Sequence, residues 1–161
     1  MNDDRARDYL GLEPLNHPAM LVGGTLLTTD LARTRRLCEG FLGLQCAEGP
    51  DGRLLVRNRA RAEAGGTYWM IEVSEAQAIE TVQGRFNHWG VDVASRAEVD
   101  AAHDMAEKHK DYYGIDLVQR VSDQHGVYAF YFKDVDGHWW EVEHHPSTVH
   151  EKFAKGDQIP T

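Results

Sequence analysis

The segment FYFKDVDGHWWEVEHH, Phe130 to His145, sets Glu141 and Glu143 among Trp, Val and Phe residues. A carboxylate in so apolar a strand is costly to bury unless a partner or a metal compensates it. Two more polar groups stand in similar settings: Glu72 in WMIEVS and His88 at the start of HWGVDV. Imidazole and carboxylate together suit Fe, Mn, Ni or Zn. His88, Glu141 and Glu72 are therefore candidate ligands, provided that their strands converge. The competing reading is that these faces are simply wet, as one face of an antiparallel sheet often is.

Alternation assigns the faces. Trp69, Ile71 and Val73 share one side of their strand, opposite Tyr68, Met70 and Glu72. Trp89, Val91 and Val93 oppose His88, Gly90 and Asp92. Trp140 and Val142 oppose Trp139, Glu141 and Glu143. Each strand thus has an apolar side suited to packing under a helix and an amphipathic side that holds the ionisable groups.

The strands belong to a repeat. GGTLLTTDLARTRRLCEGFLGLQC, from Gly23, and HWGVDVASRAEVDAAHDMAEKHK, from His88, both switch from strand to helical spacing. Asp30 and Ser95 are the expected N-caps, and Ser95 with Glu98 makes a capping box. Leu31, Leu37, Cys38, Phe41 and Leu42 form the first apolar stripe, closed by Gly43. Val99, Ala102, Met105 and Ala106 form the second. Three strands should follow each helix: about 44–47, 54–58 and 67–74, then about 116–121, 127–133 and 138–143. Pro50-Asp51-Gly52 and Asp136-Gly137 are hairpin signals, and 60–66 reads as a loop. The fold class is α+β, with two βαβββ modules. Residues 18–145 are expected to form one domain, with modules of about 18–75 and 85–145. Residues 1–17 and 146–161 read as tails.

Composition narrows the partners. The 161 residues carry a formal charge of −9 with no Lys/Arg cluster, which argues against nucleic acid and against an anionic membrane surface. No apolar run is long enough for a membrane span, and no secretory leader is visible. Two cysteines do not make a disulfide framework, which suits free thiols in the cytoplasm.

The doubled βαβββ pattern resembles the vicinal oxygen chelate superfamily, which includes glyoxalase I, extradiol dioxygenases and the bleomycin- and fosfomycin-resistance proteins. TTDLARTRRLCEGFLGL and FYFKDVDGHWWE carry the resemblance, with Val135 where the family usually has Pro. It implies a cup-shaped, mainly antiparallel sheet, a small-molecule substrate with vicinal oxygens or an aromatic ring, and a homodimer. It also implies a divalent metal, Fe(II) first, with Mn, Ni or Zn as alternatives. His88 falls on the fifth-strand ligand position, Glu141 on the eighth and Glu72 on the fourth. The first-strand position, usually His, falls on Gly23, and His17 is the nearest substitute in sequence.

A near match to the extradiol dioxygenase signature runs from His125 through Tyr131 to Glu141. It implies that His125 shuttles a proton and that Tyr131 binds a substrate oxygen. The resulting expectation is a metal-dependent enzyme acting on a small aromatic diol. The alternatives are a glyoxalase I-like lyase or isomerase, and a metal-free binding protein of the bleomycin-resistance type. His138 reads as an exposed turn residue, Cys38 as core, and His144, His145 and His150 as part of a solvated segment.

Overall fold

A computed structural model describes residues 23–58, 69–80, 83–124 and 126–147. The loop at 60–66, Tyr68, His17, His125, His150 and nearly all of both expected tails lie outside the described residues.

The first repeat runs β1 (Gly23–Thr28), α1 (Leu31–Arg36), β2 (Gln45–Glu48), β3 (Leu54–Arg57) and β4 (Met70–Glu75). The second runs β5 (His88–Asp92), α2 (Arg96–Tyr113), β6 (Ile115–Val118), β7 (Ser122–Gln124), β8 (Val127–Asp134) and β9 (Trp139–His144). The sheets are ordered β1-β4-β3-β2 and β5-β9-β8-β6, with β7 also paired to β8. In each, the first strand lies parallel to the last, while the other pairs are antiparallel. The α+β plan of two repeats therefore holds.

The helix starts follow the sequence. Asp30 accepts the Arg33 amide at 2.9 Å. Ser95 accepts the Glu98 amide, and Glu98 accepts the Ala94 amide in return. A π-helical turn, Leu37–Phe41, continues α1. It keeps Leu37 and Cys38 buried below Gly43, whose φ is +67°. α2 ends on Gly114 in the left-handed conformation.

One strand departs from expectation. Instead of a single strand over 116–121, the chain forms β6 and then β7. Val118 faces Phe132 and Ser122 faces Ala129, so this side advances four positions while β8 advances three. The extra residue breaks the ladder as a bulge does. The core runs through both repeats: Leu26, Leu37, Val56 and Val73 join Val99, Phe130, Phe132, Trp140 and Val142. Cys38 and Cys46 are buried and free.

The repeats are fastened at the β8–β9 turn. Asp136 accepts hydrogen bonds from the Thr28 and Thr29 hydroxyls, both at 2.6 Å, and from Arg33 at 2.9 Å. His138, expected on the surface, is 5% exposed, because this turn packs onto β1. Its Nε2 donates to the Leu27 carbonyl at 2.6 Å, and its Nδ1 is buried without a partner among the described residues. His144, expected to be solvated, is half-buried and donates through Nδ1 to the Val93 carbonyl.

Candidate functional site

β5, β8 and β9 assemble the polar cluster. Glu141 on β9 stands opposite Gly90 of β5 and Tyr131 of β8. Directly opposed residues share a face, as do residues two apart along a strand. His88 therefore lies on the face of Glu141, and Gly90 adds no side chain between them. His88 Nε2 reaches Glu141 Oε2 at 2.8 Å, and His88 Nδ1 reaches the Arg85 carbonyl at 2.8 Å. Both ring nitrogens thus face acceptors. An imidazolium satisfies both with Glu141 ionised; a neutral ring does so only if Glu141 holds the proton.

Tyr131 completes the cluster. Its ring stands edge-on to His88, with centroids 5.1 Å apart. Burial, then a hydrogen bond to Glu141, pushes its ionisation well above the ordinary tyrosine range, so the phenol remains a donor. Phe130 and Phe132, its neighbours on the opposite face, are fully buried in the core. Glu141 is only 8% exposed, and its carboxylate is compensated by these two partners.

Glu72 does not join them. It lies on β4 opposite Thr25 and Leu55, and it is ion-paired with Arg53. Among the described residues, no group of three His, Cys, Asp or Glu side chains is placed to hold a metal ion. The first-strand position is closed as well as empty of donor: a Cβ at Gly23 would strike the Met70 carbonyl oxygen. The donors present, His88 and Glu141, do not make the three-ligand set that the resemblance implies. His125, between β7 and Gly126, lies outside the described residues.

Cavities open on both faces of the second sheet. One of about 590 Å³ is lined by Arg85, Phe86, His88, Gln119, Arg120 and Tyr131, with Ser122 and Gln124. Arg85, Gln119 and Arg120 were not anticipated: Arg85 precedes β5, and Gln119 and Arg120 fall in the break between β6 and β7, where one continuous strand was expected. The second, of about 650 Å³, lies between the sheets and is walled by Trp69, Trp89, Trp140, Ile71 and Val91. The Trp69 and Trp89 rings pack at 4.9 Å. Trp139 donates its indole N–H to the Gln83 carbonyl at 3.2 Å.

No protein-family model and no curated protein matches the sequence. Solved structures do. The fosfomycin resistance protein FosX from Mesorhizobium loti is 17% identical, with a TM-score of 0.60 over 85% of this chain and 99% of that one. A variant of the FosX from Listeria monocytogenes, complexed with Mn(II) and 1S,2S-dihydroxypropylphosphonic acid, is also 17% identical. Its TM-score is 0.60 over 85% of this chain and 97% of that one. A possible glyoxalase from Bacillus cereus is 20% identical, with a TM-score of 0.56 over 78% of this chain and 98% of that one. The chain has the fold of the vicinal oxygen chelate superfamily.

Proposed function

We propose that this protein binds a small molecule without a resident metal, using the fold as a cup in the manner of the bleomycin-resistance type. The observation that carries the reading is the donor set. His88 and Glu141 are bonded to each other, Glu72 is committed to Arg53, and Gly23 leaves neither a ligand nor space for one. The ligand sits against the His88–Tyr131 face, where Glu141 holds the imidazole in a fixed orientation. The buried free thiols suit the cytoplasm, and a homodimer is the assembly that the family resemblance implies.

Metal stoichiometry tests this reading. The protein is purified without oxygen, offered Fe(II), Mn(II), Ni(II) and Zn(II) in turn, and assayed for metal per chain. Less than about a tenth of an equivalent of each supports metal-free binding. Near-stoichiometric metal, lost in both His88→Ala and Glu141→Ala, overturns it.

A second reading is a metalloenzyme, either an extradiol dioxygenase with Fe(II) or a glyoxalase I-like lyase. Two observations favour it. His88 Nε2 and Glu141 Oε2 are side by side at 2.8 Å, and the Listeria FosX structure is a Mn(II) complex. That reading requires further donors from a second chain, from residues outside those described, or from the substrate.

A further inference from the structure

The cavity beside His88 has a charge opposite to that of the molecule. The chain carries a formal −9, yet among the described residues two arginines and no carboxylate line this cavity. Arg85 is held in place: Gln119 Oε1 accepts from its Nη1 at 3.1 Å, and its guanidinium lies 5.4 Å from the centroid of the Tyr131 ring. Arg120 is exposed and has no hydrogen bond or ion pair among the described residues. The nearby acids are largely committed. Glu141 accepts from His88 and Tyr131, and Asp123 pairs with Arg96 at 2.6 Å. Glu143 acts on Tyr131 through its charge but does not line the cavity.

We propose that this cavity binds an organic oxyanion, a carboxylate or a phosphonate, between the guanidinium groups of Arg85 and Arg120. A planar fork of N–H donors fits the paired oxygens of such a group. Arg85 is the preorganised partner, and Arg120 is the arm that orders on binding. Phe86, 90% exposed, and the ring of Tyr131 offer apolar wall to the carbon skeleton. The site deepens the metal-free binding reading and rests on it for the identity of the occupant.

Isothermal titration with four small probes tests the site: benzoate, phenylphosphonate, neutral benzamide and cationic benzylammonium. Wild type is compared with Arg85→Gln, Arg120→Gln and, as a distant control, Arg35→Gln. All three arginines are on the surface, and melting curves verify that the variants fold. At least one of the two anions should bind at least tenfold more tightly than benzamide. Each cavity variant should weaken that anion by roughly ten- to a hundredfold, the range for hydrogen bonds to charged groups, while the control matches wild type. Added salt should weaken anion binding. The proposal is overturned if benzamide or benzylammonium binds as well as the anions, if both cavity variants bind anions like wild type, or if neither anion binds at millimolar concentration. Metal stoichiometry separates the two readings. Metal-loaded protein that still takes benzoate through Arg85 keeps the oxyanion site and sinks metal-free binding. Metal-free protein indifferent to both anions does the reverse.

Discussion

Arg33 Nη2 lies 2.9 Å from Asp136 Oδ2, and the bond joins the helix of the first repeat to the last hairpin of the second. The Asp136 side chain is 5% exposed and also accepts from Thr28 and Thr29. Asp136→Asn removes the buried ionic acceptor and leaves Arg33 with the longer contact to Asp30, at 4.0 Å. Urea unfolding should show a loss of about 2 kcal/mol, the upper range for hydrogen bonds to a charged group. An unchanged midpoint would mean that this bond adds nothing net to what holds the repeats together.

The same carboxylate sets an acid limit. Burial works to raise its ionisation, but the bonds from Thr28, Thr29 and Arg33 outweigh burial and hold it below the ordinary aspartate range. Its folded value is thus lower than its unfolded one. Its contribution to stability is complete above the unfolded value, near 4, and is lost as pH falls through the folded value. Wild type should therefore lose more stability than Asp136→Asn between about pH 5 and pH 2. Parallel curves for the two proteins would contradict the shift.

Restoring the family's first-strand ligand should fail. In Gly23→His the new Cβ meets the Met70 carbonyl oxygen, a backbone atom that cannot rotate away. The strand pair β1–β4 must separate locally, at a cost of about 1–3 kcal/mol for overpacking. The variant should melt below wild type and take up no more Zn(II). Stoichiometric Zn(II) uptake without loss of stability would show that the strand accommodates the ligand.

Tyr131 should ionise well above the ordinary tyrosine range. Burial is the larger cause and the bond to Glu141 the second. In an alkaline absorbance titration, Tyr131→Phe should remove a late phase, and Glu141→Gln should move that phase to lower pH without abolishing the delay. A Glu141→Gln titration identical to wild type would place the whole effect on burial.

His138 donates through Nε2 to the Leu27 carbonyl, which leaves Nδ1 without its proton in the neutral ring. Nitrogen NMR should report that tautomer. His138→Ala leaves the carbonyl of Leu27 without this donor and opens a gap under the turn, at a cost of about 1–3 kcal/mol. A variant as stable as wild type, together with a wild-type His138 that carries its proton on Nδ1 instead of Nε2, would refute the bond.

The clustering of His88, Tyr131 and Glu141 was readable because strands alternate strictly, and alternation fixed which residues share a side. Which strands are neighbours came from the sheet pairing, with β9 between β5 and β8. What escaped was set by register and by contacts between the repeats. Glu72 alternates as a ligand should, but the β3–β4 register places Leu55 against it and brings Arg53 within reach. His138 looks like a surface turn residue until β1 is seen to cover it. The split of β6 from β7 depends on one residue gained against β8, which no local pattern in 115–124 announces.

Each repeat pairs its first strand with its last, in parallel. During synthesis, N-terminal units generally fold before later ones. The sheet of the first repeat can close once Met70–Glu75 has left the ribosome, while the second must wait for Trp139–His144. Until Asp136 emerges, Thr28, Thr29 and Arg33 lack their carboxylate partner, and that face is the one a nascent chain leaves open longest. A truncation that stops short of the last hairpin should therefore expose this face to chaperones, although the first sheet is already complete.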